Sequence, residues 1–361
     1  MVDRPIDDTA ARLRRLSWWG IRALAVAYPL ALLVVVAAFR LVGERWWATT
    51  VALYLPRLGF ALPGPVLALA LVIGGYYRWL ATQLVAALIV VFPLMGLHLG
   101  RGVAPPPGSQ VLRVVSFNVD EGRFGLANVI RAVRSVNPDL ILLQEGGRAD
   151  EDTLRAGFSD YLFRKDGQFA VASRYPIVDV LLPAAVTQNN EIHSLRFVRY
   201  RLQTGAGLVD VFNMHPLSPR AALDELHGEG LRQEILSGRI LTPSSAPVPI
   251  NANLRTRQVQ GVADEARRST YPVIIAGDTN LPEQSWAFAQ WLGTYQDGFA
   301  QRGAGFGYTF PAIKRPWMRI DRILAGPDLR FLTCAVLTER ASDHLAVTAD
   351  LQLPSLPVSP P

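Results

Sequence analysis

Apolar residues are concentrated in the first hundred positions, whereas beyond them they return in short runs separated by polar turns. The run Ile21 to Val42 carries charge only at Arg22 and Arg40, and its apolar interior, Ala23 to Phe39, makes a stretch of about 20 residues that is long enough to cross a bilayer. A second run from about Leu58 to Gly75 is interrupted by Pro63 and Pro65, and a third from about Trp79 to Leu99 has only Gln83, Pro93 and His98 as atypical members. Tyr76 to Trp79 is the predicted turn between them. Trp18, Trp19, Trp46, Trp47 and Trp79 fall at span ends, where amphipathic indoles prefer the headgroup region. Arg57 interrupts the apolar stretch Ala48 to Ala61. A lone intramembrane Arg is costly, so this stretch reads as an interfacial helix in preference to a separate span. The first run is too long for a cleavable signal peptide, and further hydrophobic segments follow it. Residues 1–100 are therefore expected to form a membrane anchor of about three transmembrane helices.

Residues 101–110, with consecutive prolines at Pro105 to Pro107, read as a short stiff linker. Beyond it, β-branched runs alternate with amphipathic segments. Strands are predicted at Val111 to Asn118, Leu140 to Gln144, Gln168 to Ser173, Ser194 to Leu202, Leu208 to Asn213, Val273 to Ala276, Arg319 to Leu324 and Ala346 to Leu353. Helices are predicted at Leu126 to Val136 and at about Asn253 to Arg268. This is an α/β sandwich pattern over residues 111–353, followed by a proline-rich tail, 354–361, expected to be disordered.

Formal net charge is +6, and Arg far outnumbers Lys, which favours anionic partners such as phosphate groups, acidic lipid or nucleic acid. Arg4, Arg12, Arg14, Arg15, Arg22 and Arg78 on one side of the spans outweigh Arg40, Arg45, Arg57 and Arg101 on the other. That bias favours a cytoplasmic N-terminus, a multi-pass location in the cell membrane and an extracytoplasmic C-terminal domain. Cys334 is the single cysteine, which excludes an internal disulfide and any cysteine-based metal cage. Its apolar neighbours make it a buried strand thiol.

Chemistry-bearing side chains gather where the predicted strands end. Phe117-Asn118, Gln144-Glu145, Asn213-Met214-His215 and Gly277-Asp278-Thr279-Asn280 close four apolar runs, Ser342-Asp343-His344 precedes another, and Ile320-Asp321-Arg322-Ile323 lies within one. Taken singly, each has a bland reading: Asp278 and Asn280 as a turn, His215 as a structural histidine. His98, His193 and His227 have no such motif around them and read as surface or interface residues, and Gly303 to Gly307 lacks the lysine of a phosphate-binding loop.

In order along the chain, these motifs resemble the endonuclease/exonuclease/phosphatase superfamily from about Val111 to Leu353. The resemblance implies a DNase I-like, four-layer fold: N-terminal transmembrane α-helices followed by an α/β two-sheet sandwich catalytic domain. It implies hydrolysis of a phosphoester bond with a divalent metal, Mg2+ or else Mn2+, in a cleft between the sheets. Glu145 would be the chief metal ligand, with Asn118 and Asp343 close by. Asp278 would orient the attacking water and Asn280 would donate to the phosphate. His344 would act as general base or phosphoryl donor with Asp321 as its acidic partner, and His215 would touch the phosphate from the opposite wall. The acidic residue that partners the equivalent of His215 in secreted deoxyribonucleases has no clear counterpart here, so its partner stays open. Asn213 and Arg174 are candidate substrate-binding residues, Arg174 having a structural salt bridge as its alternative. Thr309, in Tyr308-Thr309-Phe310-Pro311, is a third, as substrate-side packing or plain core.

Tethering restricts a catalytic domain to substrates near the bilayer, which points to a lipid-linked phosphate or pyrophosphate. Similarity to bacterial membrane-anchored members of the superfamily points the same way. Pro216 to Ala252 is longer than a simple connection and reads either as a lid meeting the membrane surface or as a solvated insertion. Two other readings remain: a metal-dependent nuclease on DNA or RNA, since a basic surface also binds a phosphate backbone, and a catalytically inactive membrane scaffold or binding module.

Overall fold

The computed structural model describes residues 6–188, 191–224 and 247–354. His227, most of the expected lid and all but the first residue of the tail lie outside them. The chain opens with a bundle of four helices, α1 (Ile6–Leu41), α2 (Trp47–Leu53), α3 (Pro63–Ile73) and α4 (Leu80–Ile89). Leu32, Phe39, Leu53, Ala86, Ile89 and Leu94 make its core, while Leu30, Leu33, Val34, Val66, Leu69, Ile73 and Leu84 face outward. Two stretches, Leu16–Leu41 and Tyr77–Leu94, are long and apolar enough to cross a membrane, or three if the bent pair Trp47–Leu53 and Arg57–Ile73 counts as one.

The second and third expected runs differ from the structure. Pro63 and Pro65 lack an N–H and suit the first helical turn, so the α-helix starts only at Pro63. Before it, Arg57–Ala61 forms a 3-10 turn, and the path bends by 97°. Arg57 lies buried in this bend, donating to the carbonyls of Ala52 and Leu53 at the end of α2 and stacking over Phe39. The last run stops being helical at Leu94, and Gly96 takes φ +73°. A Cβ there would meet the Glu283 carboxylate at 2.2 Å. The chain then forms β1 (His98–Leu99), paired with β13 (Ala304–Gly305) of the following domain. That pairing accounts for part of the glycine-rich segment. The proline-rich stretch lies along the domain, with Val103 N–H donating to Leu332 O and Leu353 N–H to Gln110 O.

The remaining strands make two six-stranded sheets and a hairpin. One sheet contains β2 (Val111–Asn118), β3 (Leu140–Gln144), β4 (Leu162–Asp166), β5 (Phe169–Ser173), β15 (Arg330–Val336) and β16 (Val347–Gln352) in the order β15-β16-β2-β3-β5-β4. The other contains β6 (Ile177–Leu181), β9 (Phe197–Thr204), β10 (Gly207–Met214), β11 (Val273–Asp278), β12 (Gln296–Asp297) and β14 (Asp321–Ala325) in the order β12-β14-β11-β10-β9-β6. β7 (Val186–Gln188) and β8 (Glu191–His193) pair with each other.

The apolar core between the sheets is built from residues such as Leu112, Leu142, Val171, Tyr200, Val211, Ile274 and Leu351. Helices Leu126–Arg134 and Glu151–Gly157 cover the outer face of one sheet, and helices Pro247–Arg268 and Trp286–Trp291 that of the other. Four layers result. β3 and β11 are buried at every position, so they read as continuous apolar runs and not as alternation.

Candidate active site

Strand direction gathers the motifs. β2 and β3 run parallel, with Asn118 opposite Gln144, and β10 and β11 run parallel, with Met214 opposite Gly277. Asp278 lies opposite Asp321 in β14, and the start of β16 pairs with the end of β2. The C-terminal ends of four strands and the N-terminal ends of two therefore meet at one edge of the sandwich. Gly277 makes the approach possible: at φ +144° its position would put a Cβ 1.9 Å from Met214 O.

A cleft of about 670 Å³ opens at this edge, and Glu145, His215, Asp278, Asn280, Asp343 and His344 line it. Asn118 and Asp321 stand directly behind. Asp278 accepts from Asn118 Nδ2 at 3.1 Å and from the Asn280 N–H at 2.8 Å. Asn118 Nδ2 also donates to Glu145 Oε1 at 3.1 Å, and its Oδ1 accepts from the Asp120 N–H. Asn118 thus bridges the two carboxylates through its amide nitrogen. Asp343 accepts from Arg220 Nη2 at 3.1 Å. Asn280 ties one amide hydrogen to Pro216 O at 2.9 Å.

The two histidines have opposite surroundings. His344 Nδ1 bonds Asp321 Oδ2 at 2.9 Å, its Nε2 lies 3.7 Å from Asp278 Oδ2, and its ring packs on Phe310. Burial alone would lower its pKa, but the charges of Asp321 and Asp278 outweigh this and raise it to about 10. His215 Nδ1 bonds the Gln168 side-chain carbonyl at 2.8 Å, and its Nε2 faces Glu145 Oε1 at 3.3 Å and Asp278 Oδ2 at 3.6 Å without an aligned hydrogen bond. Burial, then the positive charges of Arg196 and His344, hold its pKa well below the ordinary value. The partner left open by the sequence is a neutral amide. Burial also raises the Asp278 carboxyl, against the opposing positive charge of His344.

The donor set suits a hard divalent cation. The Glu145 and Asp278 carboxylates converge on the same two nitrogen atoms, Asn118 Nδ2 and His215 Nε2. The buried Asp321 Oδ1 has no hydrogen-bond partner among the described residues. Asp278, Asp321 and His344 each offer a ligand atom within 4.8 Å of the others.

Three expected substrate contacts lie elsewhere. Arg174 follows β5 at the far end of the sandwich, where it bonds Asp139, Asn137 and Tyr161. Leu140, at the other end of β3 from Gln144, pairs with Ser173, which separates Arg174 from the cleft by the strand's length. Asn213 is buried between the sheets, donating to Leu143 O and accepting from Gln144 Nε2 at 2.7 Å. It is a cross-sheet tie. Thr309 is also buried, its hydroxyl accepting from the Ile320 and Asp321 N–H groups. It steadies the backbone of Asp321 from behind.

Among the cleft residues that sequence reading missed are Gln168, Arg196, Arg220 and Tyr54. Gln168 and Arg196 sit in turns that carry no motif, and Tyr54 belongs to the apolar N-terminal bundle. Of these only Arg196 carries a backbone signal, a positive φ. Of the six non-glycine residues at positive φ among the described residues, Glu121, Glu145, Arg196 and Asn280 line the cleft and Asp120 adjoins it.

Among solved structures, an endonuclease/exonuclease/phosphatase from Beutenbergia cavernae DSM 12333 is 19% identical, with a TM-score of 0.49 and a match covering 69% of this chain and 73% of that one. Truncated Caenorhabditis elegans TDP2 is 20% identical, at a TM-score of 0.46 and covering 67% of this chain and 97% of that one. The endonuclease/exonuclease/phosphatase from Bacteroides vulgatus is 16% identical, at a TM-score of 0.47 and covering 68% and 99%. No curated protein matches the chain. Residues 115–344 match the model of the Endonuclease/Exonuclease/phosphatase family, and they span the whole constellation from the strand ahead of Asn118 to His344; the chain belongs to that family.

Proposed function

We propose that this protein is a membrane-anchored, metal-dependent phosphoesterase that hydrolyses a phosphoester or pyrophosphate bond in a lipid-linked substrate. Members of the family are generally metal-dependent hydrolases of phosphoester bonds. The observation that carries the lipid reading is the position of the cleft: Tyr54 of the bundle lines it, and the cleft residues Leu223 and Met318 pack into the bundle's apolar core. A substrate with its phosphate at Asp278 would have its apolar part beside the bundle. The arginine bias around α1 supports an extracytoplasmic cleft.

Glu145 and Asp343, which line the cleft with Asp278, would hold Mg2+ or Mn2+, which when bound would neutralise charge developing on the phosphoryl oxygens. Asp278 orients the attacking water, with Asn118 and the Asn280 N–H fixing its carboxylate. His344, kept protonated by Asp321, donates to a phosphoryl oxygen. Neutral His215 presents Nε2 from the opposite wall. Arg196 and Arg220 add positive charge to a cleft otherwise rich in carboxylates.

The test is phosphate release from a lipid-linked pyrophosphate by full-length protein in detergent, with Mg2+, with chelator, and for Asp278→Ala. Release that chelator and the substitution both abolish is the expected result. Nicking of plasmid DNA with the lipid untouched would replace this reading by the nuclease one. No cleavage of either, with wild type and variant alike, would leave a scaffold.

A further inference from the structure

The segment between the catalytic strand β11 and helix Trp286–Trp291 is held by the N-terminal bundle, residue after residue. Tyr54 Oη donates to Asn280 O at 2.8 Å. His98 Nε2 bonds Glu283 Oε1 at 2.8 Å, and Gln284 Nε2 donates to Pro93 O at 2.8 Å. Buried Glu44 accepts from the Ser285 hydroxyl and from the Ala287 N–H. Gly43, at φ +49°, lies so close to Trp286 that a Cβ would come within 2.5 Å of it. The loop that follows Asp278 therefore takes its shape from chain some 180 to 240 positions upstream.

Asn280 is the sensitive point. It sits at φ +49°, in the left-handed region, which asparagine enters more readily than other side chains and which its surroundings hold here. Its N–H holds Asp278 Oδ1. Its carbonyl is held by Tyr54, whose ring is backed by the fully buried Arg255 guanidinium, itself fastened by Asn251 and Leu217 O. The contact thus reaches the catalytic carboxylate through a single residue.

We infer that Tyr54 is a positioning residue of the active site, and that the bundle keeps the turn from Asp278 to Asn280 in its working geometry. The bundle is then part of the catalytic apparatus as well as a tether. The inference rests on the cleft being catalytic, and the test separates the two.

Full-length wild type, Tyr54→Phe and Tyr28→Phe are compared in the same detergent micelles. Tyr28→Phe is the matched control, because it removes a hydroxyl bonded at 2.6 Å to Phe60 O inside the bundle and away from the cleft. Amide hydrogen exchange over residues 278–288 is measured by mass spectrometry, and kcat and KM are measured with Mn2+ and bis(4-nitrophenyl) phosphate. Tyr54→Phe is expected to speed exchange in that segment and to lower kcat, each by about five- to ten-fold for one lost hydrogen bond, with KM unchanged within roughly two-fold. Tyr28→Phe is expected to do neither. Exchange in Tyr54→Phe equal to wild type, an equal acceleration in Tyr28→Phe, or faster exchange with unaltered kcat would each overturn the inference. If wild type leaves the diester intact, the phosphoesterase reading fails on that substrate, and exchange alone still decides whether Tyr54 fixes the turn.

Discussion

His215 and His344 face the same carboxylate, Asp278, yet their partners push them in opposite directions: a neutral amide on His215, a buried carboxylate on His344. Asp321→Asn should remove the charge that raises the His344 pKa. If protonated His344 is the donor, activity is lost as pH rises through that pKa, so the alkaline limb of the rate profile should move to lower pH. kcat should also fall by about 10²-fold or more. A pH–rate profile of the variant checks both. Arg174→Ala should leave kcat/KM unchanged and cost about 1 kcal/mol or less, as expected of an exposed ion pair, measured by denaturant unfolding. Glu145, His215, Asp278, Asp343 and His344 were legible because each lies at an end of an apolar run, whereas Arg196 and Arg220 stand in segments with no such pattern. Arg174, Asn213 and Thr309 show the limit of that signal, since a polar residue at a strand end serves packing as readily as chemistry.

At the scale of elements, the glycine before Asp278 sets how closely β11 can approach β10. Gly277→Ala should destabilise the protein by about 3 kcal/mol or more, seen as lost soluble yield or a lowered Tm, because the new methyl would meet backbone on a neighbouring strand. The loop beyond is pinned by Glu283. Burial would raise its carboxyl, but His98, Arg319 and Arg322 prevail and lower it to about 2 from an ordinary 4.5. Its stabilising effect is therefore complete above about pH 4.5 and disappears as pH falls toward 2, a swing on the order of 3 kcal/mol. Glu283→Gln should be less stable than wild type at pH 7, with the gap closing below about pH 3 in an acid-unfolding series. The long apolar runs that became β2, β3, β10 and β11 were readable from the sequence. The edge strand β4 was not, since its last three residues, Arg164, Lys165 and Asp166, are charged.

For the whole molecule, the bundle and the sandwich make one connected structure, joined through β1 and β13, Glu44, Tyr54 and Tyr308, whose hydroxyl donates to Met95 O. If α1 and α4 lie in a bilayer, the full-length protein should stay in the membrane pellet through alkaline carbonate extraction. Its appearance in the supernatant would remove the lipid reading's premise. By itself the sequence determined the apolar N-terminal segments, the sandwich and the carboxylates and histidines of the motifs, because these follow from local periodicity and from motifs whose order along the chain is characteristic. Only the tertiary structure decided what partners His215, which polar strand-end residues face inward, and that Tyr54 closes the wall of the cleft. Those are contacts between segments far apart in the chain, fixed by how strands and helices pack, and no local pattern of residues encodes them.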